Sequence, residues 1–179
     1  MTRGTLATLR DLMPPRALTQ GQALRIAELQ AQRLLEMAGI KEPPVPVSVI
    51  TDIPKIVVQR MVPWPVSGAT SWTKGAWNVI IKGDEPYGRR RFTLAHEFKH
   101  ILDYRHIDVA YPSTQFMSHR ERAEAICDFF AGCLLVPRTW LKNAWAHGTQ
   151  NTKELAELFQ VTPAAIQTRL LQTGIVDRV

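Results

Sequence analysis

Cysteine is scarce. Cys127 and Cys133 are the only two in 179 residues, and their spacing matches neither a Cys-x-x-Cys metal site nor a disulfide framework. They are expected as buried, reduced thiols within one helix. Long apolar runs are missing too. Met1 to Pro15 is interrupted by Arg3, Arg10, Asp11 and Pro14-Pro15, so there is no signal-peptide core, and no later run approaches membrane-spanning length. A cytoplasmic protein with no membrane contact is expected. Acidic residues are outnumbered, 16 against 22 Lys and Arg, for a net charge of +6. The positive charge is spread out, with Arg89-Arg90-Arg91 as the one dense cluster, so charge alone selects no nucleic-acid partner. At 45% hydrophobic the chain can fill one substantial core but not two large domains.

What is present reads as helices around a small sheet. Thr19-Gln20-Gly21-Gln22 has the spacing of a capping box, and the apolar positions from Leu24 to Met37 predict a helix closing near Gly39. Glu42-Pro43-Pro44-Val45-Pro46 then forces an extended linker, which separates a helical amino-terminal arm (residues 1–44) from the main body. Lys55 to Arg60 is rich in β-branched residues, and Gly68–Thr73 and Ala76–Lys82 flank Lys74-Gly75 like a hairpin, predicting a small antiparallel sheet. Trp64, Trp72 and Trp77 are expected under or beside it. Asp84-Glu85-Pro86 marks the start of a helix predicted to end at Tyr104. Ser118-His119-Arg120-Glu121 reads as a second capping box, opening a helix that runs to Pro137 and completes a core of residues 45–137. Residues 138–179 form a helical extension with helix-turn-helix spacing, but its last helix carries Arg169 as its only charge, which argues against direct DNA reading. The fold class is α+β.

Within the first of these two helices lies His96-Glu97-Phe98-Lys99-His100. In a helix His96 and His100 stand one turn apart on one face, close enough to share a metal ion, with Glu97 about 100° round the axis, the layout of a zinc peptidase. Leu94, Ala95, Phe98, Ile101 and Leu102 fill the core-facing arc, whereas Thr93, His96, Glu97, His100 and Tyr104 share the opposite one. Lys99 and Asp103 are placed to pair on an exposed flank.

The second helix supplies a third ligand. Glu124 and Asp128 lie one turn apart in an otherwise apolar segment, beside Ala131 and Gly132, whose small size admits a neighbouring helix. Two buried carboxylates are costly without a cation or strong donors. Glu124 as a zinc ligand and Asp128 as the acceptor that holds a ligand histidine by its other ring nitrogen account for both. Glu121 is explained by its cap. The rival third ligand is His106, since His96 to His106 has metzincin spacing, but Asp103 stands where that turn normally has glycine. Zinc so held would activate a water, with Glu97 as the general base and Tyr104 or His106 steadying the oxyanion.

Arg91-Phe92-Thr93-Leu94-Ala95-His96-Glu97 with His100, then Glu124 and Phe130-Ala131-Gly132-x-Leu134-Leu135-Val136-Pro137, resembles the ImmA/IrrE family of bacterial and phage metallopeptidases. The resemblance spans about Val45 to Pro137, and more loosely reaches Ile175. It implies a thermolysin-like zinc site with His96, His100 and Glu124 as ligands and Glu97 as base. It also implies an endopeptidase that cuts a helix-turn-helix repressor, releasing stress-response, phage or mobile-element genes. Two departures stand out: Lys99 occupies the place of a customary glycine, which bears on access or partner surface, and Ile126-Cys127-Asp128 replaces Glu-Ala-Asn. The alternative function is a non-catalytic, zinc-containing partner in a repressor or toxin-antitoxin module.

Overall fold

The structure, a computed structural model, describes residues 4–176; Met1 to Arg3 of the arm lie outside the described residues. Chain order is α1 (Thr5–Arg10), α2 (Gln20–Ala38), α3 (Ser48–Thr51), β1 (Ile56–Met61), β2 (Gly68–Thr73), β3 (Ala76–Lys82), α4 (Tyr87–Asp103), α5 (Ile107–Ala110), α6 (His119–Leu135), α7 (Arg138–Ala146), α8 (Thr152–Phe159) and α9 (Pro163–Thr173). This is an α+β fold. Both capping boxes close. The Gln22 amide N–H donates to Thr19 Oγ1 at 3.2 Å while Thr19 N–H donates to Gln22 Oε1 at 3.1 Å, and Ser118 and Glu121 reciprocate at 2.8 and 3.2 Å. The Ser118 hydroxyl, which donates to Glu121 Oε2 at 2.7 Å, and then the Ser118 N–H hold the Glu121 carboxyl below its ordinary pKa. Gly39, at φ +68°, ends α2 in the left-handed conformation that favours glycine.

The sheet differs from expectation. β2 and β3 form the antiparallel hairpin, but β1 runs parallel to β3, giving a mixed sheet of order β1-β3-β2. β3 takes the centre because Trp77, Val79 and Ile81 alternate inward and bury one face against α4. β2 is left as an outer strand beside α4. Behind α4 comes α6, with α2 along its other side, so that one hydrophobic core reaches from Leu9 to Leu170. The proline-rich linker is tied in: Arg91 Nη2 donates to the Val45 carbonyl at 2.7 Å.

Gly132 admits a neighbour as its size suggests. A Cβ there would lie 2.8 Å from Arg169 Cδ of α9, and Arg169 Nε donates to the Val136 carbonyl at 3.2 Å. Arg169 is buried, and the exposed positions of α9, Pro163, Ala164, Gln167, Thr168, Leu171 and Gln172, carry no charge. Among the described residues no helix is long and apolar enough to cross a membrane.

Lys99 and Asp103 do pair, at 2.6 Å, but both are fully buried, contrary to the exposed flank expected. A helical wheel separates faces without saying which of them another element covers. Here α2 and Tyr111 cover the flank: Lys99 Nζ donates to Gln30 Oε1 at 2.7 Å and Tyr111 OH donates to Asp103 Oδ2 at 2.6 Å. Gln30 Nε2 in turn donates to the Leu9 carbonyl at 3.0 Å. Lys99 therefore reaches no partner surface; it joins the arm to the histidine-bearing helix.

Candidate metal centre

The i, i+4 spacing on α4 brings His96 Nε2 and His100 Nε2 to 3.1 Å. α6, crossing alongside, puts Glu124 Oε2 at 3.2 Å from His96 Nε2 and Oε1 at 3.6 Å from His100 Nε2. Donors at about 2.0–2.1 Å around tetrahedral zinc stand about 3.3 Å from one another, so these three groups fit a first-row divalent ion. His96 Nδ1 lies 2.8 Å from Asp128 Oδ1, which keeps the ring proton on Nδ1 and the Nε2 lone pair toward the other donors. Burial opposes protonation of His96, but the Asp128 hydrogen bond and charge, with Glu97 and Glu124, outweigh it and raise its pKa. Burial and the neighbouring His96 lower that of His100. A metal thus competes mainly with the proton on His96.

The acid pair is not buried as the apolar surroundings suggested. The Glu124 and Asp128 side chains are 46% and 62% exposed. They edge an open cleft of about 300 Å³ that also touches Arg89, Thr93, His96 and Glu97. The cost of burying charge therefore does not single out Glu124; its position does. A residue not anticipated as a donor is Cys127, whose sulfur lies within 4.8 Å of a ring nitrogen of each histidine. Standing three residues after Glu124 on the same helix, it was legible by spacing, but an apolar setting reads equally well as a packed thiol. Of the two sets we favour His96, His100 and Glu124. Their separations match a coordination polyhedron, whereas burial pushes the Cys127 thiol well above its ordinary pKa, opposing the thiolate that metals require.

Glu97, 8% exposed, is held from the sheet side: Thr70 Oγ1 donates to its Oε2 at 2.6 Å. The approach of β2 to α4 that permits this depends on Gly68, where a Cβ would fall 2.5 Å from Thr93 Cγ2 and 2.8 Å from Glu97 Oε1. Thr70 was missed in the sequence, although positions 68, 70 and 72 share one strand face. Tyr104 borders a second cavity with Glu97 and His100. His106 lines a separate cavity with Arg10 and Ile53, away from the histidine pair it could have joined.

The family model described as Peptidase M78, IrrE N-terminal-like domain, matches residues 53–171. The chain belongs to the M78 peptidase family. The match encloses the residues of the cleft described above, from β2 through Asp128. No curated protein matches the chain significantly. Among solved structures, a Mycobacterium tuberculosis transcriptional regulator superposes with a TM-score of 0.64 at 16% identity, covering 94% of this chain and 52% of that one. The M78 chain thus spans about half the length of that regulator, and the likeness is one of fold.

Proposed function

We propose that this protein is a zinc-dependent endopeptidase acting on a regulatory protein, with a helix-turn-helix repressor as the substrate class its family resemblance indicates. The observation that supports this most is the closing of His96, His100 and Glu124 into one donor triangle, with the Glu97 carboxylate beside it. His96, His100 and Glu124 would hold the ion, and Asp128 would orient His96. When bound, zinc supplies Lewis acidity that polarises a scissile carbonyl and acidifies water. Glu97, positioned by Thr70, takes the proton from the attacking water and returns it to the leaving amine. Tyr104, bordering the same space as Glu97 and His100, would donate to the developing oxyanion. The outer strand β2 offers an edge along which an extended substrate can pair.

Incubating the protein with a repressor encoded beside it is expected to give one discrete cut that chelator abolishes and added zinc restores. An uncut repressor that instead binds stably, with zinc retained, would favour the non-catalytic reading. Cys127 is the observation that favours that second reading, since a fourth protein ligand closes a zinc site to water. The donor sets separate by metal content: Glu124→Ala is expected to lose stoichiometric zinc and Cys127→Ala to keep it. The reverse pattern in elemental analysis would transfer the third ligand to the thiol.

A further inference from the structure

One turn along α4 from the Arg89 cleft, a cavity of about 250 Å³ opens beside Glu97 and His100, walled by Trp72, Trp77, Tyr104 and Ile107. Its rings form a continuous edge-to-face row. Trp72 meets Trp77 at 5.2 Å between centroids and Trp77 meets Tyr104 at 4.9 Å, with interplanar angles of 64° and 76°. Trp77 is buried and anchors the row, but Trp72 is 48% and Tyr104 61% exposed. Those two outer rings contribute little to the core, and each presents apolar surface at the rim of the site.

We propose that this cavity receives one large apolar side chain, aromatic or leucine-like, of the polypeptide bound at the metal centre, and so sets which peptide bond is presented. The assignment rests on the peptidase reading for its biological meaning. The occupant follows from three features. The cavity is bordered by Glu97 and by His100, which stands 3.6 Å from Glu124, so a side chain held in it can belong to backbone that passes the candidate metal centre. Its volume falls below the roughly 300–1,000 Å³ of small-molecule sites and suits a single side chain. Among the described residues Glu97 is the only acid on its wall, and Thr70 donates to it at 2.6 Å. A charged side chain of either sign would give up hydration among these rings, and an acidic one would also meet the Glu97 carboxylate. Aromatic and branched side chains give up no polar hydration on entry, and the ring edges add contact beyond area.

The test needs no bound metal. Protein labelled with 15N in its tryptophan indoles, treated with chelator, is titrated with N-acetyl amides of phenylalanine, leucine, glycine and arginine. The Trp72 and Trp77 signals are assigned through single tryptophan-to-phenylalanine variants. Both signals are expected to shift saturably with the phenylalanine and leucine compounds, at least about fivefold more tightly than with glycine or arginine. Trp72→Ala and Tyr104→Ala should each erase that preference while the Trp140 and Trp145 signals stay in place, which verifies the fold. Equal response to all four amides, stronger response to arginine, or a preference untouched in both variants would overturn the proposal. A chelated protein that shows the preference, paired with a failure to take up zinc, would remove the peptidase reading and leave the cavity assignment standing.

Discussion

A Glu97→Gln protein is expected to take up zinc with the stoichiometry of the parent and to lose roughly 10²- to 10⁴-fold in the rate of substrate cleavage, the range that a positioned general base contributes. Glu97 makes none of the donor contacts that join His96, His100 and Glu124, so metal content should not follow the change. The amide is the same shape, and its oxygen can still accept from Thr70, which keeps β2 seated on α4. What disappears is the ability to accept and return a proton. Parallel measurement of zinc content and of kcat on the cleaved repressor separates the outcomes. Full activity would refute the general-base role, and loss of zinc together with activity would make Glu97 part of the metal-holding frame.

The second large effect concerns stability. Lys99→Met removes one member of a fully buried ion pair and leaves the Asp103 carboxylate dry, with the Tyr111 hydroxyl as its remaining side-chain hydrogen bond among the described residues. Breaking such a pair from one side costs about 3–5 kcal/mol, because the surviving charge keeps its desolvation penalty without its partner. A fall of that size in unfolding free energy, read from urea midpoints, is the expected result. Lys99→Met combined with Asp103→Leu should recover part of it, since no uncompensated charge then remains. A single variant as stable as the parent would mean that the Lys99–Asp103 pair contributes nothing to stability.

The parts of the fold read correctly from sequence are those fixed by chemistry within a few residues. Two capping boxes, Gly39 and Pro86 set helix ends to within a residue or so, because each cap is a local hydrogen bond or a local steric fact. The i, i+4 histidines, with Glu124 and Asp128 on the next helix, needed only helix geometry and one crossing. What was misread depends on long-range neighbours. The parallel placement of β1 beside β3 is decided by which strand has the most continuous apolar face, not by any turn signal. Burial of Lys99 depends on Gln30, 69 residues away, and the exposure of Glu124 on where the cleft opens. The short helix α1 had no clear start signal and was not anticipated: its N-cap, Gly4, makes no side-chain cap bond.

Gly68 carries a consequence for how this site can change over generations. The clearance between strand and helix there is set by an absent atom, so every possible replacement adds bulk toward Thr93 and Glu97. Variation at that end is a one-way door. The opposite end of β2, where the Trp72 ring stands half exposed against Trp77, has room in both directions. Variation in what the cleft admits is therefore channelled to the aromatic end, while the end beside the Glu97 carboxylate is frozen by geometry.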